Sequence, residues 1–139
     1  MDSCIFCKIV KGEIPSYKLY EDSDVFVMLD INPFSKGHVL VLPKKHFENI
    51  YDIPENILCK VVSVSKFFAQ KIKQEFHPEG IILLQNSGER AGQSVFHFHM
   101  HVKPVFLDSE ILSEAHLCKK LKEDDMLDIQ RVLQQATLS

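Results

Sequence analysis

Residues 95–104 read VFHFHMHVKP, and this stretch constrains the fold more than any other in the chain. Successive side chains on a β-strand point to opposite faces. Phe96, Phe98, Met100 and Val102 then share one face, and His97, His99, His101 and Lys103 share the other. The spacing predicts a strand over 95–103, with its apolar face in the core and its imidazoles about 7 Å apart.

The flanking segments predict what surrounds that strand. CIFCKIVKGEIPS reads as a short helix ended by Gly12 and Pro15. YKLYE and DVFVMLD (17–21 and 24–30) read as strands joined by a turn at Asp22 and Ser23, INPFSKG as a loop, and HVLVLPK as a further strand. Pro54 opens a long helix whose buried face is predicted to carry Leu58, Val61, Val62, Ser65, Phe68, Ala69, Ile72 and Phe76, ending before Pro78. GIILLQN reads as a buried strand. The segment 109–136 is helical in composition, with Met126, Ile129, Val132 and Leu133 on one face and Asp124 or Asp125 as cap. Strands cluster and are joined by short turns. The expectation is therefore an α+β fold, an antiparallel sheet with a long helix and a C-terminal helix, rather than a doubly wound sheet. No repeat or linker interrupts the chain, so residues 1–139 are read as one domain, with a motif-bearing core over 4–105.

Composition narrows the partners. At 45% hydrophobic over 139 residues, the chain can build a core without disulfides. A net charge of −3 with no basic tract argues against gripping nucleic acid through its phosphates, but not against a single nucleotide held by neutral donors. The N-terminus has too short an apolar run for a signal peptide, and no stretch approaches the roughly 18 apolar residues of a membrane span. The expected setting is the cytoplasm, where thiols stay reduced. Cys4 and Cys7, spaced as CxxC, are then metal ligands or buried thiols, while Cys59 and Cys118 are packing residues. His77 and His116 are expected at the surface.

Three roles compete for the histidine row: an exposed strand face, a metal site, or catalysis. Imidazoles at i and i+2 can converge on one ion, so spacing alone leaves metal and catalysis level. The loop NSGERAGQS shifts the balance. Gly92 lets a backbone approach a ligand closely, and Asn86, Gln93 and Ser94 supply neutral donors beside a turn whose N–H groups can cradle an anion. Neutral donors beside imidazoles suit a phosphate better than a metal.

HFHMHVK is similar to the defining pattern of the histidine triad (HIT) family, His-φ-His-φ-His-φ-φ with φ apolar; Lys103 departs from it at the last position. CIFCKIVKGEIPS, LDINP, GHVLVLPKKH and NSGERAGQSVFHFHMH also resemble family segments in family order, and the serine after Gln93 resembles the nucleotide-binding branch. The resemblance implies a homodimeric α+β fold with a mononucleotide pocket per subunit. It implies a hydrolase that splits a bond to the α-phosphorus of a purine nucleotide conjugate, releasing AMP, with no catalytic metal. His99 would be the nucleophile, His101 would bind phosphate oxygen, His38 would orient them, and Ser94 would donate to the leaving group. Asn86, Gly92, Gln93 and Ser94 would hold phosphate, Asp30 and Ile31 the ribose, and Ile5, Phe6 and Ile9 the base. The alternatives are a dinucleoside polyphosphate hydrolase, for which Lys44, Lys45 and Arg90 would contact extra phosphates, and a nucleotide-binding module with incidental hydrolysis.

Some family members also hold structural zinc through CxxC, the histidine of the PKKH segment and the first triad histidine. The resemblance therefore implies a tetrahedral site from Cys4, Cys7, His46 and His97. The competing possibility for the two cysteines is a pair of partly buried thiols. A metalloenzyme using the triad as ligands is the remaining reading.

Overall fold

The computed structural model describes residues 3–107 and 121–138. In chain order it contains helix α1 (Ile5–Val10) and strands β1 (Lys18–Glu21), β2 (Val25–Leu29) and β3 (Val39–Pro43). Helix α2 (Glu55–Phe76), strand β4 (Gly80–Leu84), a 3-10 turn (Glu89–Ala91), strand β5 (Met100–Val105) and helix α3 (Glu123–Leu133) follow. The strands form one five-stranded sheet in the order β1-β2-β3-β5-β4, with every pairing antiparallel. The part of the predicted C-terminal helix that carries His116 and Cys118 lies outside the described residues.

Alternation along β2 and β3 explains the layering. Val25, Val27, Leu29, Val39 and Val41 face α2 and α3 and join Val61, Val64, Phe68 and Ile72 in the main core. Phe26, Met28, Leu40 and Leu42 face the other way and form a smaller apolar cluster under Phe6 of α1. Both faces of the central strands are thus covered, and all five residues of each are buried. Register carries this onto β5: His101 pairs with Leu40 and so lies on the α1 side, while Val102 pairs with Val39 on the α2 side.

Five sequence expectations shift. The predicted strand over 95–103 begins only at Met100. After Val41↔Met100 the ladder would need Pro43, which has no N–H, and whose carbonyl accepts from His97 Nε2 at 2.8 Å. Phe98 N–H bonds Phe47 O instead, at 2.6 Å. Among the described residues, GIILL is an edge strand rather than a buried one, pairing only with β5 and leaving Leu83 48% exposed. On α2, Val62 is 43% exposed and Val64 takes the predicted buried place. The cap of α3 is Lys122; Asp125 sits within the first turn and accepts the Lys122 N–H at 3.3 Å, and Val132 faces outward.

The β1 edge is covered by the C-terminal region, through Gln135 N–H to Leu19 O (2.8 Å) and Gln130 Nε2 to Lys18 O (3.0 Å). His77 ends α2 in a left-handed conformation and is exposed. Among the described residues, no helix is long and apolar enough to cross a membrane.

Candidate functional site

A cleft of about 360 Å³ opens between α1 and the α1-facing side of the sheet. Its floor comes from strand ends: Met28 and Asp30 from β2 and just past it, Leu40 from β3, and His99 and His101 from the triad segment. Its wall is α1 and the loop after it, through Ile5, Phe6, Ile9 and Ile14. Ser94 and Val95 close the third side, and Ile31 stands at the rim, 65% exposed.

Hydrogen bonding fixes the tautomer of each imidazole. His99 Nδ1 lies 2.7 Å from His97 O, and a carbonyl only accepts, so Nδ1 carries the proton. The neutral ring then leaves Nε2 bare. Burial lowers the His99 pKa, which favours that neutral form. His38 Nδ1 accepts the Phe34 N–H at 2.9 Å, so its proton sits on Nε2, which donates to His101 Nδ1 at 3.0 Å. His101 in turn carries its proton on Nε2. Burial, then His101 and Lys103, pushes His38 down to about 2; burial, then His99 and Lys103, pushes His101 down to about 3. The His99 and His101 rings pack edge-on with centroids 5.0 Å apart. One cleft therefore holds a bare ring nitrogen beside a ring N–H donor.

Asp30 combines two environments. Its Oδ1 accepts the Asn32 N–H at 2.8 Å, as a turn cap would, and its Oδ2 lies 3.6 Å from His38 Nε2. Burial raises its pKa, against the Asn32 amide and the charge of Lys103.

The loop residues divide. Ser94 lines the cleft; Asn86, Gly92 and Gln93 do not. Gln93 is buried, with Oε1 accepting from Gly88 N–H (2.8 Å) and Nε2 donating to Glu48 O (2.6 Å) and Val95 O (3.2 Å). Asn86 Nδ2 donates to Ala91 O at 2.6 Å. Gly92 has φ 96°, and a Cβ there would sit 3.2 Å from Asn86 Nδ2. The Asn86 and Gln93 side chains brace the loop from within and Gly92 supplies its left-handed turn, whereas the sequence predicts all three at a phosphate.

The first triad histidine turns to another site. His97 Nε2 donates to Pro43 O, so its Nδ1 is bare, and it lies 3.5 Å from both Cys4 Sγ and Cys7 Sγ. His46 Nδ1 is 3.4 Å from Cys7 Sγ, and the four ligand atoms all lie within 4.8 Å of one another. Sulfur and nitrogen ligands on one tetrahedral zinc are about 3.6 Å apart, so the donor set fits such an ion in type and spacing. Burial, then the adjacent Cys4 thiol, raises the Cys7 pKa and favours the neutral thiol, whereas a bound divalent cation would favour the thiolate.

The comparisons with known proteins agree with this geometry. Residues 11–106 match the HIT domain. The chain belongs to the HIT family. It is 48% identical over 105 residues to the Protein hit of Bacillus subtilis, covering 76% of this chain and 72% of that one. It is 42% identical over 106 residues to the adenosine 5'-monophosphoramidase HNT1 of Candida albicans, covering 73% and 70%. Among solved structures, it superposes on a Zn-bound histidine triad family protein from Mycobacterium smegmatis with a TM-score of 0.83 at 33% identity, covering 96% and 91% of the two chains.

Within this HIT fold, the structure brings Ile5, Phe6, Ile9, Asp30, Ile31, Ser94, His99 and His101 to one cleft, with His38 behind His101. Sequence reasoning missed Met28 and Leu40 in the floor. The signal was present: each lies two residues along a strand from an expected site residue, Asp30 and His38, and so on the same face.

Proposed function

We propose that this HIT-family chain is a nucleotide hydrolase of the nucleoside phosphoramidase type, cleaving at the α-phosphorus of a purine nucleotide conjugate and releasing AMP. The observation that carries it is the pair of fixed tautomers, a bare His99 Nε2 beside a His101 Nε2–H. His99 Nε2 attacks phosphorus and forms a P–N bond. The bond to the leaving amine breaks, and the amine departs with its electron pair and takes a proton from the Ser94 hydroxyl, which water then restores. That water attacks the nucleotidyl-histidine, its proton being the one that restores Ser94, the P–N bond breaks with its electron pair returning to Nε2, and AMP leaves. His101 Nε2–H donates to a phosphoryl oxygen as charge builds there, and His38 keeps that proton on the correct nitrogen.

Asp30 binds ribose hydroxyls. Ile5, Phe6, Ile9 and Ile31 bind the base. Asn86, Gly92 and Gln93 shape the loop that presents Ser94. The similarity to an adenosine 5'-monophosphoramidase supports the substrate class. An adjoining groove of about 370 Å³ shares Ile5, Ser94 and Val95 with the cleft; among the described residues it carries Glu48 and neither lysine nor arginine. That favours an amine over a polyphosphate as leaving group.

Cys4, Cys7, His46 and His97 would hold structural zinc, which when bound cross-links α1 to the triad segment. We further propose a single HIT domain that works in the cytoplasm as a homodimer. The position of β4 at the sheet edge among the described residues, with Leu83 exposed, supports pairing with a second copy.

Release of AMP from adenosine 5'-phosphoramidate by zinc-loaded protein tests the function. Wild type turning over and His99→Ala not doing so is the expected result. An inert wild type would overturn the hydrolase and leave a binding module.

A further inference from the structure

The four-ligand cluster and the cleft are joined by two physical routes. The first runs through one residue. The His97 ring belongs to the cluster, with Nδ1 3.5 Å from both sulfurs, and its carbonyl oxygen holds His99 Nδ1 at 2.7 Å. Any shift of His97 therefore changes the grip on the His99 proton.

The second route is α1. Cys4 is its N-cap, accepting the Cys7 N–H at 3.4 Å, and Cys7 lies in the first turn. Between them Phe6 packs edge-on to His99, centroids 5.0 Å apart, and to His97 at 5.9 Å. Ile5 and Ile9 of the same helix line the cleft. A helix of six residues is too short to hold itself. It is fixed by Phe6 over Phe26, Met28, Leu40 and Leu42, and by its two cysteines against His46 and His97. Without the cross-link, α1 keeps only its apolar contacts, Phe6 with Ile9 and Val10 against that cluster, and its N-terminal turn can shift, taking the cleft wall along.

We infer that a divalent metal held by Cys4, Cys7, His46 and His97 and a nucleotide held in the cleft bind with positive coupling, carried by Phe6 and the His97 carbonyl. The inference rests on the nucleotide and zinc assignments proposed above and goes beyond a structural role. A metal that only stabilised the fold would leave the cleft affinity of the folded protein unchanged. Coupling of binding free energies is reciprocal: zinc must tighten the nucleotide by the factor by which the nucleotide tightens zinc.

The test measures AMP affinity by calorimetry on zinc-loaded and zinc-stripped protein, with near-ultraviolet circular dichroism reporting whether both are folded. Zinc affinity is measured by competition with a chromogenic chelator, with and without saturating AMP. Each ligand is expected to tighten the other about tenfold. Phe6→Ala, which keeps all four ligands, is expected to lower that factor several-fold, leaving the share carried by the His97 carbonyl. Equal affinities in a wild type that binds both ligands would overturn the coupling. Undiminished coupling in Phe6→Ala protein that circular dichroism shows to be folded with and without zinc would overturn it too. Zinc-loaded wild type that binds no AMP would overturn the nucleotide assignment itself, a result distinguishable from AMP binding that ignores zinc.

Discussion

The Nδ1–H of His99 donates to the main-chain oxygen of His97 at 2.7 Å. Neighbouring histidines of one motif are thereby given different work. The His97 ring faces the thiols of Cys4 and Cys7 while its carbonyl orients His99, whose other nitrogen stays bare beside the cleft. A hydrogen bond that fixes a tautomer fixes which atom can attack.

His38 Nε2 meets the cleft from behind, bonded to His101 Nδ1 and 3.6 Å from Asp30 Oδ2, so its replacement tests orientation. Converting His38→Ala removes the donor to His101 Nδ1. The expected effect in steady-state kinetics is a fall in kcat of about 10- to 100-fold with KM little changed. A proportionate rise in KM alone would assign His38 to binding.

Acid should weaken the fold through the same pair. His38 and His101 are held down to about 2 and about 3, mainly by burial, against 6.5 for an ordinary histidine. Between those limits the unfolded chain binds protons that the native chain refuses, so stability rises with pH and falls on acidification below 6.5. Each group contributes about 1.4 kcal/mol per pH unit within that window. Urea midpoints should be flat above about pH 7 and decline below it, less steeply in His38→Asn. A midpoint unchanged down to about pH 5 would show that these histidines protonate in the native state at little cost.

Asp22 is a structural counterpart. Burial alone would raise its pKa, but the Asp24 and Val25 amides, the Tyr20 hydroxyl and Lys60 outweigh it and lower the carboxyl to about 2. The amide bonds are 2.8 and 2.9 Å long and close the β1–β2 turn. The stability this gives is complete above the ordinary value of 3.8 and is lost as pH falls through about 2. Asp22→Ala should cost about 2 kcal/mol by urea denaturation at neutral pH, and an undiminished midpoint would show the turn to be self-supporting.

Much of this was legible in the sequence because alternation and turn chemistry are local. The His101/Val102 split of faces and the Asp22 turn follow from spacing and residue type. Three features did not. Leu83 reads as core because an apolar run does not say whether its strand is central or at an edge. The strand start at Met100 depends on Pro43, a residue 57 positions earlier that becomes its neighbour only through register. Gln93 reads as a phosphate donor because nothing local reveals that Gly88 N–H and Glu48 O already occupy its amide.

Metal content is checked by elemental analysis. Wild type is expected to carry one zinc per chain, and Cys4→Ser/Cys7→Ser none, with a lowered thermal midpoint. Equal midpoints with and without chelator would return the cysteines to the role of buried thiols.

The central claim is nucleophilic attack by His99, and the most direct measurement is intact mass spectrometry of enzyme quenched in base early in turnover of adenosine 5'-phosphoramidate. The expected result is one nucleotidyl group per chain, mapped to His99 and absent from His99→Ala. An adduct on another residue, or AMP release by His99→Ala at the wild-type rate, would overturn it.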